Sequence, residues 1–72
     1  MTNNTLKRKL SKAYDEKRLH VRGLDLSWEM TAWQWEHCIN GFAQYTTEQY
    51  NRALKKRVIE ACVNGYATYT ID

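Results

Sequence analysis

The sequence predicts a mainly α fold, with an α+β arrangement as the alternative, and three observations lead there. Two stretches carry apolar residues at helical spacing. One nine-residue phrase occurs twice, as "CINGFAQYT" from Cys38 and as "CVNGYATYT" from Cys62. The pieces that close each copy are short, alternating, and rich in aromatic and β-branched residues, which suits strands. Three helices are expected at about 6–18, 28–40 and 47–64. Short extended or strand pieces are expected at about 20–26, 42–46 and 66–71, all within a single small domain spanning 1–72.

In the first helix, Leu6, Leu10, Ala13, Tyr14 and Lys17 form one stripe, and Asn4 or Thr5 is placed to cap its N-terminus. Lys7, Arg8 and Lys9 then fall in the first turn, where the helix dipole disfavours cations by a few tenths of a kcal/mol each. A local conflict of this kind points weakly to function. Gly23 breaks the chain next, with Leu24 and Leu26 alternating around Asp25. Ser27 is read as the N-cap of the second helix, whose stripe is Trp28, Ala32, Trp35, Cys38 and Ile39. Trp33 stands off that stripe with Glu29, Glu36 and His37. At period two the same segment reads as a strand entering an Asn40-Gly41 hairpin. The third helix is the clearest. Thr46 and Gln49 have capping-box spacing, Tyr50, Leu54, Val58, Ala61 and Cys62 make the stripe, and Gly65 suits a left-handed stop.

The repeat bears on the second helix. At an offset of 24 residues, Glu36, Cys38, Asn40, Gly41, Ala43, Tyr45 and Thr46 recur identically, and the likeness ends upstream of Glu36. What repeats is a helix ending plus a short extended piece, so Gly41 and Gly65 are expected to be one helix-stop device used twice. The hairpin remains the alternative at Gly41. The two pieces after the stops would either pair in parallel around the third helix or lie as extended caps. Two copies are too few for a solenoid.

A chain of 72 residues buries only about 60% of its unfolded surface, so the core is thin. The net charge of +3 is distributed in blocks. Seven cations stand against two acids over 7–22, four acids and no cation occupy 23–51, and Arg52, Lys55, Lys56 and Arg57 follow. Such blocks either pair within the fold or face separate partners. There is no apolar leader and no run of membrane-spanning length, so a cytoplasmic protein with no membrane partner is expected.

Catalytic signatures are missing. The sequence has no glycine-rich phosphate loop, no GxSxG and no HExxH. Two cysteines without a CxxC pair are expected to be reduced packing thiols. His37, Cys38, Cys62 and His20 have poor metal-ligand spacing, and neither a metal nor another cofactor is expected. His37 and Cys38, adjacent on a helix, point about 100° apart, which argues against a thiol nucleophile and base. No enzyme is expected.

What remains is binding. The expectation is a non-enzymatic protein-binding module that regulates or inhibits a larger protein or complex by occupying its surface. Phage and mobile-element regulators are chains of this size, which is a prior from length alone. Trp33, Lys7, Arg8, Lys9, Lys12, Glu29 and Glu36 are the candidate contacts, because tryptophan and charged rims are common at interfaces. The rival is a small nucleic-acid-binding regulator using Lys7, Arg8, Lys9, Lys12, Arg52, Lys55 and Lys56, though no known nucleic-acid motif accompanies them. The thin core also makes a homo-oligomer a reasonable third expectation.

Overall fold

The computed structural model describes residues 3–72. Its elements run α1 (Asn3–Asp15), β1 (Leu19–Arg22), α2 (Leu26–Glu36), β2 (Cys38–Ile39), β3 (Phe42–Ala43), α3 (Thr47–Asn64) and β4 (Thr68–Ile71). The fold is thus mainly helical with short antiparallel strands, as expected. Among the described residues, no helix is long and apolar enough to cross a membrane.

α3 forms where the sequence places it. The Thr46 hydroxyl accepts from the Gln49 amide at 3.1 Å, and the Gln49 side chain accepts from the Thr46 amide at 2.7 Å, completing the capping box. At the other end Gly65 adopts φ +82°, so that Tyr66 N–H reaches the Ala61 carbonyl and Gly65 N–H the Cys62 carbonyl. This is a Schellman stop. Its twin is not at Gly41. It closes α1, where Lys17 takes φ +59°, Arg18 N–H donates to Ala13 and Lys17 N–H to Tyr14.

Asn40-Gly41 instead makes the two-residue turn of a β-hairpin, with φ +54° and +82°. Cys38 pairs with Ala43 and Ile39 with Phe42 across it. The shared helix-stop reading of Gly41 is therefore corrected, and the hairpin alternative holds. A left-handed glycine serves either device, so the repeated phrase does not distinguish them. The parallel βαβ is corrected as well. β4 pairs antiparallel with β1, matching Leu19 to Ile71 and Val21 to Tyr69.

That ribbon turns Leu19, Val21, Tyr69 and Ile71 onto a core of Leu10, Ile59 and Cys62, with Leu6 and Val63 at its edge. α1 begins at Asn3, ahead of the expected Asn4 or Thr5 caps. Lys7, Arg8 and Lys9 consequently sit in its second turn, beyond the strongest part of the dipole field. The expected conflict disappears. α2 begins and ends earlier than expected. Asp25, not Ser27, is its N-cap, accepting from the Trp28 amide at 3.1 Å.

The two left-handed stops differ in cost. A non-glycine residue in the left-handed region is destabilised by roughly 1–2 kcal/mol. A Cβ added at Gly65 would meet nothing within 4 Å, so only φ strain is at issue. Gly65→Ala should lower the urea midpoint by the equivalent of about 1 kcal/mol, whereas Lys17→Gly should raise it by roughly 0.5 kcal/mol. Equal midpoints for both variants and the parent chain would contradict the stop geometry.

Candidate functional site

α2 carries large apolar side chains on both of its sides, and the fold has material to cover only one. The covered side is built from Met30, which is buried, and Trp33, which is half-buried. Trp33 stacks on His37 with ring centroids 4.2 Å apart and meets Tyr45 edge-on at 4.7 Å and Tyr50 at 5.9 Å. Each aromatic pair of this kind adds about 0.5–1.5 kcal/mol beyond area burial. Glu29 lies on the same side, accepting from the Arg57 guanidinium at 2.7 Å. Tyr50 and Arg57 belong to α3, so this cluster is the seam that holds α2 down.

The expected stripe is therefore reversed. Trp28 and Trp35, assigned to the core, are 70% and 72% exposed. Trp33, assigned to a partner, packs inside. Seven residues apart on a helix, Trp28 and Trp35 share one face about 10 Å apart. The hairpin continues the exposure, with Ile39 at 61% and Phe42 at 72% directly opposite each other at its tip. On the other face of the ribbon, Cys38 and Ala43 line a shallow depression with Trp35, Gln34 and Tyr45. Among the described residues, six large apolar side chains are exposed, and five of them (Leu26, Trp28, Trp35, Ile39, Phe42) lie within 26–42. Their concentration is the most distinctive feature of the described surface.

The acids nearby in sequence are divided. Glu29 is consumed by Arg57, which removes it from the free contacts, while Glu36 and Asp25 stay exposed. No cation occurs over 23–51. Asp25 and Glu36 thus leave an exposed acid at each end of α2.

The basic candidates lie elsewhere. Lys7, Arg8, Lys9 and Lys12 are all exposed on α1. On α3, Arg52 pairs with Glu48 at 2.6 Å and Lys55 with Asp15 of α1 at 2.9 Å, and Lys56 is exposed. The possible metal set is dispersed. His20 bonds Asp72 at 2.6 Å, His37 stacks on Trp33, Cys62 is buried and Cys38 half-buried, both as free thiols. Among the described residues, no three His, Cys, Asp or Glu side chains gather in a metal-holding group. The His37 ring is also committed. Its Nδ1 lies 2.9 Å from the Trp33 carbonyl, which only accepts, so that nitrogen carries the proton.

No protein-family model matches this chain, and neither a curated protein nor a solved structure matches it. The reading of the site rests on its own geometry.

Two outcomes follow. Trp33→Ala should cost about 2–3 kcal/mol in urea unfolding, whereas Trp28→Ala and Trp35→Ala should each stay within about 0.5 kcal/mol of the parent. The thiols should also differ. Burial pushes the Cys62 thiol up, so it holds less reactive thiolate in the folded chain. A thiol reagent at mild alkaline pH should label Cys38 first and Cys62 only on unfolding. Equal labelling rates would count against the buried placement of Cys62.

Proposed function

We propose that the chain is a non-enzymatic protein-binding module, a regulator or inhibitor that works by occupying the surface of a larger protein. The carrying observation is the outward face of α2 with Trp28 and Trp35 bare. Tryptophan is the residue most enriched in interface hot spots, and this face offers two at fixed helical spacing. A helix laid into an apolar groove uses anchors of this kind at i and i+7.

The exposed acids at the ends of α2 narrow the partner's chemistry to an apolar socket bordered by lysine or arginine. They also argue against a twofold dimer through this face, which would set each copy's acids against the same acids of the other. Among the described residues no charged side chain is buried, and the groups that burial desolvates are the Tyr14 hydroxyl and the Cys62 thiol.

The test is affinity capture from a cell lysate with nuclease present, comparing the parent chain with the Trp28→Ala/Trp35→Ala variant. A captured protein should be lost with the double variant, each tryptophan contributing on the order of 2 kcal/mol of affinity. Neutralising Lys7, Arg8 and Lys9 should leave the capture intact. Retention by the tryptophan variant, or sedimentation of the purified chain as a dimer that the variant dissolves, would refute the proposal.

A further inference from the structure

A second surface of different chemistry lies along the seam between α1 and α3. The two helices meet through Leu10 and Ile59, and the Lys55–Asp15 ion pair crosses between them. Outside this contact run two shallow concavities that share Arg52 and Lys55 in their walls. One also holds Lys7 of α1 with Lys56 of α3, and the other holds Lys17, Tyr14 and Asn51. Cations separated by up to 49 positions in sequence, from Lys7 to Lys56, are thereby brought to one trough. Three acids line it, of which Asp15 and Glu48 are already engaged by Lys55 and Arg52. Lys7, Lys17 and Lys56 have no ion-pair partner among the described residues.

We propose that this α1–α3 trough binds the phosphodiester backbone of nucleic acid without reading its sequence. Three polyanion classes compete for such a surface, and the geometry separates them. A membrane-surface helix needs bulky apolar side chains beside its cations. α1 turns Leu6 and Leu10 into the core, and none of the exposed large apolar residues lies on α1 or α3. An acidic protein would want an apolar centre, since interface cores are depleted of lysine. The trough offers Lys7, Lys17 and Lys56 against the single unengaged acid Glu60, around a concave wall with a tyrosine and an asparagine, which suits a phosphate chain. Backbone contacts of this type act by releasing counterions, so their signature is salt dependence.

The trough and the tryptophan face use different residues, which keeps the two proposals separable. The experiment is fluorescence anisotropy of labelled 20-mers of random sequence, single-stranded and duplex, titrated with the full chain between 50 and 200 mM salt. With about three phosphates neutralised, affinity should fall roughly 40-fold over that range for the duplex and roughly 20-fold for the single strand. Lys7→Glu/Lys56→Glu should weaken binding at low salt at least about tenfold while leaving the circular dichroism of the chain unchanged, and should flatten the salt slope. Trp28→Ala/Trp35→Ala should bind like the parent. Absence of binding to both forms at 50 mM salt would overturn the proposal, as would an unchanged salt slope in the lysine variant. Binding to phosphatidylserine vesicles with equal strength would overturn it in favour of a membrane surface.

Discussion

Everything in this molecule is fastened to α3. Its one flank receives α1 and the β1–β4 ribbon through Leu10, Ile59 and Cys62, and another receives α2 through Trp33, Tyr50 and the Glu29–Arg57 pair. A single helix serving two sides gives two small clusters rather than one deep core, and the molecule is correspondingly long, 44 Å by about half that across. A chain of this length has little surplus apolar surface to bury. Once α3 has been covered on both flanks, nothing in the chain covers the outer side of α2. The bare tryptophans are a consequence of that shortage, and the proposed partner would relieve it.

The charge blocks resolve in the same frame. Part of the acidic middle pairs with the basic third block where Glu29 meets Arg57, and part of the first block pairs with the third where Asp15 meets Lys55. Both pairs bridge helices, though half-exposed ion pairs contribute only about 1 kcal/mol or less. They do more to set register than to add stability. What they leave over among the described residues is segregated: exposed Asp25 and Glu36 at the ends of α2, and Lys7, Lys17 and Lys56 without an ion pair in the α1–α3 trough. The two proposed surfaces inherit their separate chemistries from this division.

The parts of the fold that were legible in the sequence are those specified locally. α3 occupies the expected 47–64, because its capping box and its glycine stop are both encoded within a few residues of its ends. The α1 stripe of Leu6, Leu10 and Ala13 faces inward as its spacing indicates. The illegible parts depend on distant residues. The β1 strand finds its partner about fifty positions away, and alternation at Leu19 and Val21 is too short to announce that. The repeated phrase is the sharpest case. Val63 packs against the α1 and ribbon core and stays helical, whereas its counterpart Ile39 is exposed and extended. Nearly the same residues fold two ways because only one copy has a core to continue along. For α2, periodicity gives two apolar stripes and no means of choosing between them, so spacing alone does not separate the packed Trp33 from the exposed Trp28 and Trp35.

That partition is the central claim, and it is open to direct measurement in the isolated chain. Three single-tryptophan variants, with the other two positions replaced by phenylalanine, report each indole separately through acrylamide quenching of its fluorescence. Trp28 and Trp35 should be quenched nearly as fast as tryptophan in an unfolded peptide, and Trp33 several-fold more slowly until the chain is unfolded. Quenching of Trp33 as fast as the others, with Trp28 or Trp35 protected in the folded monomer, would contradict the account.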